Sequence, residues 1–130
     1  MENSRFKFRV WDIKQQKYRQ RTHHEADTCL DCLTGKVLYG EGIEIYGEED
    51  DKDVMLEQCT GLKDKNGKLI YEGDIVETQG IKKIVKYNQS SCCFVFHNIG
   101  TIISHHIEDS WLNEFPTEII GNIHEVRDDK

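Results

Sequence analysis

The sequence has a single proline, no long apolar run, no internal repeat and no signal-type leader, and each absence removes a class of protein. No stretch approaches the roughly 20 apolar residues that a membrane-spanning helix needs. Met1 is followed by polar residues rather than by the apolar core of a secretion signal. The chain therefore reads as soluble and cytoplasmic, with no membrane partner. Catalytic signatures are missing as well: there is no phosphate-cradling glycine loop, no HExxH, no GxSxG and no GxGxxG. His97, His105 or His106 could in principle meet Cys92 as a nucleophile pair. Six histidines and five cysteines in 130 residues make such a coincidence expected by chance. The sequence points to a non-enzyme without a cofactor.

Cysteine usage agrees with a reducing compartment. The five cysteines are an odd set without a secretory leader, so a disulfide framework is not expected. Cys29-Leu30-Asp31-Cys32 is a CxxC with His23-His24 upstream, and two thiolates with two imidazoles would suit tetrahedral zinc. The remaining pair, Cys92-Cys93, is adjacent rather than CxxC-spaced, so the expectation is no metal and thiols that are small buried or loop side chains.

Charge is abundant but unevenly placed. The formal net charge is −7, which argues against generic nucleic-acid coating. Residues 1–21 hold seven basic and two acidic side chains, a local balance of +5. The remaining 109 residues balance at −12, with the densest acidic run at Glu48-Glu49-Asp50-Asp51. Such a run is ordinarily a solvated loop. Complementary fields of this kind can also set the register of one copy on another.

Period-two patterning is the main secondary-structure signal. Phe6, Phe8 and Val10 alternate with Arg5, Lys7 and Arg9 ahead of Trp11, the pattern of a half-buried strand. Asp12–Lys17 reads as a polar turn, Tyr18 as the start of a returning strand, and residues 20–36 as a loop. Val37–Tyr39 and Ile43–Tyr46 are short strand candidates. Asp64-Lys65-Asn66-Gly67 is a strong turn signal, since Asn and Gly tolerate the positive φ of tight turns. Further strand candidates recur at Lys68–Tyr71, Ile75–Glu77, Ile81–Tyr87, Cys92–His97, Thr101–Ile107 and Thr117–His124, with Asp109–Phe115 a candidate helical turn. Strands at this spacing indicate a small antiparallel barrel or sandwich. The predicted fold is mainly β, with some α+β character possible. A strand-rich region with an acidic loop (1–59) precedes an SH3-like five-stranded barrel (60–130).

The segment Gln58-Cys59-Thr60-Gly61-Leu62-Lys63-Asp64-Lys65-Asn66-Gly67-Lys68-Leu69-Ile70-Tyr71-Glu72-Gly73-Asp74-Ile75-Val76 resembles the signature of the YopX family, small proteins of phages and prophages of Gram-positive bacteria. Lys7–Asp12 resembles the family's opening strand, and Ile119–Glu125 its closing strand. The CxxC and the acidic run lie outside these matched segments. The resemblance implies a phage protein of unassigned activity that self-associates, with an SH3-like C-terminal part and no catalytic residues.

Together these features predict a non-catalytic, self-associating interaction module, a homo-oligomer that also meets a phage or host protein. The candidate partner-binding residues are Arg5, Lys7, Arg9 and Trp11 on the basic strand and Asp64, Glu72 and Asp74 in the signature segment. For those three acids the plainer reading is turn chemistry. The alternative is a nucleic-acid-binding or regulatory protein that uses the basic strand, with Trp11 and Tyr18 available for stacking.

Overall fold

The computed structural model describes residues 7–19, 27–30, 36–41, 44–48, 50 and 52–125, which form twelve strands and one short helix. They divide into two compact units: Arg9–Leu56, and the residues up to Phe8 together with those from Glu57 onward. The chain passes between the units inside two strands, β1 (Phe8–Asp12) and β6 (Val54–Lys63).

In the Arg9–Leu56 unit, β1 pairs antiparallel with β2 (Lys17–Tyr18), placing Trp11 opposite Tyr18. The expected polar turn closes this hairpin, with the Gln16 N–H donating to the Asp12 carbonyl at 2.8 Å. A three-stranded sheet follows in the order β3-β4-β5, from Asp27–Leu30, Val37–Glu41 and Glu44–Glu48. Strand β3 corrects the loop expected over 20–36. Its partner is β4, with Cys29 opposite Leu38, so pairing across the sheet prevails over a locally weak pattern.

The larger unit carries the expected barrel connectivity, and the chain is mainly β. Strand β6 pairs with β7 (Leu69–Tyr71), and the Cys59 N–H donates to the Lys7 carbonyl at 2.9 Å. A five-stranded antiparallel sheet follows in the order β11-β10-β9-β8-β12. Strands β8 (Asp74–Thr78), β9 (Ile81–Asn88), β10 (Cys93–Asn98) and β11 (Ser104–His106) form a meander. Helix α1 (Asp109–Glu114) then returns the chain to β12 (Thr117–Asn122), which pairs with β8. A meander whose last strand returns beside the first after a helical turn is the SH3-like arrangement. Register decides what lies inside. Val76 faces Lys83 and Phe96 faces Val85, so these side chains share one face of the sheet. Ile70, Val76, Val85 and Phe96 are buried there, with Ile107, Trp111, Leu112 and Ile119 packed against them.

Strand β11 is shorter than the Thr101–Ile107 expected from its apolar residues. The Thr101 N–H and hydroxyl both donate to the Asn98 carbonyl, and the Thr101 hydroxyl accepts the Ile103 N–H at 3.0 Å. This local turn draws the backbone out of the ladder.

Strand β12 is held at both ends by acidic side chains, one inside the signature segment and one just before it. Near its start, the Asp64 carboxylate accepts the N–H groups of Asn66 and Lys68 at 2.9 Å each and that of Ile119 at 3.1 Å. The Lys65 N–H donates to the Thr117 carbonyl at 2.8 Å. The turn thus builds itself and satisfies the outer edge of β12, an edge that would otherwise be open to pairing. Beyond its end, the His124 Nε2–H donates to Glu57 Oε2 at 2.8 Å, and Glu57 is 1% exposed. The Ile123 N–H donates to the Gly73 carbonyl at 2.9 Å.

Gly73 is required twice over. Its φ is +89°, a region that L side chains rarely adopt, and a Cβ there would sit 2.9 Å from Glu57 Oε2. Gly80 has a similar φ of +78° with nothing within 4 Å of the same position. Gly73→Ala is therefore expected to destabilise the protein by about 2–4 kcal/mol, and Gly80→Ala by only about 1 kcal/mol, the backbone part alone. Urea denaturation of the two variants measures the difference. Equal losses would contradict the close approach of Glu57.

Candidate interaction surface

The basic strand is engaged within its own fold. Lys7 is exposed. The Arg9 guanidinium lies 4.5 Å from the centre of the Tyr18 ring, a cation–π arrangement. Trp11 is 8% exposed and meets Tyr18 edge-on at 4.9 Å. Arg19 Nε donates to Asp12 Oδ2 at 3.1 Å, and the Gln15 N–H donates to Asp12 Oδ1 at 2.9 Å. Burial alone would raise the Asp12 pKa, but the Gln15 amide, the Arg19 guanidinium and the Lys14 amide hold it below its ordinary value. Arg5, the remaining member of the basic candidate set, lies outside the described residues.

The three acidic candidates accept backbone hydrogen bonds. Asp64 is 7% exposed and Asp74 is 2% exposed. Asp74 Oδ2 accepts the Tyr71 N–H at 2.7 Å, and Glu72 Oε1 accepts the Gln58 N–H at 3.3 Å. Asp64 and Asp74 thus serve the backbone of their own turns, Asp64 also reaching β12, while Glu72 reaches across to β6.

Exposed apolar area gathers instead at one end of the five-stranded sheet. Ile81 opens β9, while Ile99, Ile102 and Ile103 lie in the segment joining β10 to β11. They are 45%, 42%, 97% and 57% exposed. The Ile99 N–H donates to the Lys82 carbonyl at 3.1 Å, and the Asn98 N–H to the Ile103 carbonyl at 2.9 Å. Backbone bonds therefore hold the loop over the beginning of β9. Sequence reading assigned Ile102 and Ile103 to a strand over Thr101–Ile107, because an apolar run carries no sign of where a sheet ends; Ile81 was expected at the start of a strand and Ile99 in a turn.

A second feature was not legible in the sequence. Lys83 sits on the inner face of β9, 6% exposed, between Val76 and Asn98 in the sheet register. Its Nζ donates to His105 Nε2 at 2.8 Å and lies 4.8 Å from the centre of the Trp111 ring. His105 Nδ1–H in turn points to the His106 carbonyl at 3.4 Å, which assigns the neutral tautomer with its lone pair toward Lys83. Trp111 is tilted over His105 at 4.9 Å and meets Phe96 at 5.6 Å. Burial lowers the Lys83 pKa. Burial, followed by the Lys83 charge, lowers that of His105.

Cys59 is buried and its Sγ accepts the Gly61 N–H at 3.3 Å, while Cys92 is exposed. Cys29 lies in β3, and Cys32, His23 and His24 lie outside the described residues. Among the described residues, no group of three or more His, Cys, Asp or Glu is placed to hold a metal ion. Among them, too, no helix is long and apolar enough to cross a membrane.

Comparison with known proteins places this geometry. The family described as YopX protein matches residues 7–126. Among solved structures, the chain is similar to the crystal structure of protein EF1440 from Enterococcus faecalis, with 22% identity and a TM-score of 0.58, over 94% of this chain and 95% of that one. At that identity the likeness concerns the fold. No functionally curated protein matches.

The Lys83–His105 pair makes stability depend on pH. The folded-state pKa of His105 lies below the ordinary value of 6.5. As pH falls below that value, the unfolded chain takes up a proton that folded His105 resists, so stability present at higher pH is lost. One such group gives a slope of at most about 1.4 kcal/mol per pH unit. Thermal denaturation across the mildly acidic range should show a shallower pH slope in His105→Gln than in the parent. Identical slopes would mean that His105 is not held neutral.

Proposed function

The chain belongs to the YopX family, and from that premise we propose that it acts as a non-catalytic, self-associating protein-interaction module, a cytoplasmic accessory of a phage or prophage. The observation that carries this reading is the cluster of exposed isoleucines at one end of the five-stranded sheet, Ile81, Ile99, Ile102 and Ile103. Apolar side chains left in water at one site favour burial against a partner. A second copy is the occupant that fits, because an apolar patch complements itself across a two-fold axis. The +5 leader and the −12 remainder supply opposite fields to orient the copies. A phage or host protein would then engage the assembled form.

The nucleic-acid alternative draws less support. Trp11 is buried, and Arg9 and Arg19 are engaged with Tyr18 and Asp12. The basic strand therefore offers less free charge and stacking surface than its sequence suggests.

Burying an isoleucine is favourable by about 1.5–3 kcal/mol, and 1.4 kcal/mol is a factor of ten in affinity. Ile102→Asp is therefore expected to weaken self-association at least tenfold in sedimentation equilibrium while leaving the far-UV circular dichroism unchanged. Reversal of Arg5, Lys7 and Arg9 to Glu should also weaken it, and more so at low salt. A parent protein that stays monomeric at high concentration would overturn the reading. So would an assembly indifferent to Ile102→Asp.

A further inference from the structure

The two edges of the five-stranded sheet are finished differently. On β12 the Asp64 turn answers the outer backbone groups, the Ile119 N–H at 3.1 Å and the Thr117 carbonyl through the Lys65 N–H at 2.8 Å. At the opposite edge, among the described residues, no strand lies beyond β11. Native edges are ordinarily blunted by a lysine, a proline, a bulge or a covering segment. Residues 103–107, Ile-Ser-His-His-Ile, include neither lysine nor proline, and the pairing of β10 with β11 runs without a register shift.

Register shows which backbone groups of this edge are open. Phe96 faces His105 in the ladder. The flanking bonds run from the Asn98 N–H to the Ile103 carbonyl at 2.9 Å and from the Ile107 N–H to the Phe94 carbonyl at 3.3 Å. In an antiparallel pair such bonds recur at every second residue. Ile103, His105 and Ile107 therefore turn their backbone groups toward β10, and Ser104 and His106 turn theirs away. Both outward residues are exposed. Among the described residues neither of their N–H groups has an acceptor, and the His106 carbonyl receives only a long contact from His105 Nδ1 at 3.4 Å. The next outward residue, Glu108, has its carbonyl committed to the Leu112 N–H at 3.1 Å, where α1 begins. The open edge is thus Ser104 and His106, with an N–H and a carbonyl on each.

We propose that β11 is a self-pairing edge: two copies join antiparallel along it, about a two-fold axis at His105, into one sheet continuous through both. The inference rests on the self-association proposed above and names its contact. With the axis at His105, Ser104 of each copy stands opposite His106 of the other. Each such pair exchanges two N–H···O bonds, so every open group of the edge is answered. An axis at Ser104 would set His106 against Ile102 in the loop. One at His106 would set Ser104 against Glu108, whose carbonyl is already taken. The His105 register also sets Ile103 of one copy beside Ile107 of the other in a non-hydrogen-bonded pair, where side chains approach most closely. Ile103 is 57% exposed and Ile107 is half-buried, so the backbone match covers apolar side chains as well. Residues 103–107 hold no Asp, Glu, Lys or Arg, so none of these charges meets its like at the axis. A second copy fits better than an unrelated extended peptide because the edge is complementary to itself.

The test is residue-resolved hydrogen exchange of the whole chain above and below the concentration at which it associates. The Ser104 and His106 amides are expected to slow by at least about tenfold in the associated form. The Ile107 amide, bonded within its own copy, should change little. A mixture of isotope-labelled and unlabelled copies should show an NOE between the His105 Hα atoms of the two, which this register brings together. Ser104→Pro removes one outward N–H and none that points to β10, so it should weaken association by at least about tenfold and leave Val85 and Phe96 protected. The exchange measurement on the parent protein needs no variant to fold. A chain that associates with its Ser104 and His106 amides unchanged overturns the edge pairing and leaves the interaction module standing. Association indifferent to Ser104→Pro does the same. Protection without the His105 contact overturns the register, and the proposal with it. A chain that stays monomeric overturns both this pairing and the reading on which it rests.

Discussion

A last strand that must come back across a helix and pair beside the first needs to be held there, and in this chain two buried carboxylates do it. Asp64 gathers the amides of its own turn and reaches the Ile119 N–H on the outer edge of β12. Glu57, on β6, receives His124 just beyond the other end of the same strand. Hydrogen bonds to a charged group contribute about 1.5–3 kcal/mol each, roughly twice a neutral one, so these few contacts weigh heavily in a domain of this size. They also explain the glycine between Glu72 and Asp74. The Glu57 carboxylate occupies the space that a side chain at residue 73 would need.

This arrangement changes what the signature segment means. Its acids look like an exposed recognition patch when written in a line, yet Asp64, Glu72 and Asp74 each accept a backbone N–H inside the fold. In this chain the signature segment is thus part of how the sheet is closed. The exposed apolar side chains lie elsewhere, at the isoleucine end of the five-stranded sheet.

Much of the architecture was legible locally. The Asp64–Gly67 turn, the alternation along β9 and the helical turn before β12 are each stated by a few adjacent residues, and the five-stranded sheet follows from their spacing. What escaped reading depends on distant partners. Strand β3 is a strand because β4 lies beside it, and Thr101 shortens β11 with a side-chain hydrogen bond. Glu57 looks solvent-facing in sequence, and its burial rests on a histidine 67 residues away. Lys83 occupies an inward position of a strand whose other inward residues are apolar or aromatic, and only register reveals Asn98 and His105 as its neighbours. The basic strand was legible as a strand over Phe8–Trp11, with Lys7 just before it and Arg5 and Phe6 outside the described residues, but its engagement with Tyr18 and Asp12 could not be read from charge.

Native-state hydrogen exchange tests the closing interaction most directly. Among the described residues, the Ile119 N–H lies on a sheet edge with no strand beyond it, and Asp64 gives it its partner. If the carboxylate holds the strand, this amide is protected in the parent to a degree comparable with Val85 and Phe96. In Asp64→Ala it loses that protection together with Asn66 and Lys68, while Val85 and Phe96 keep theirs. An Ile119 amide that exchanges at loop rates in the parent, or that stays protected in Asp64→Ala, would contradict the account.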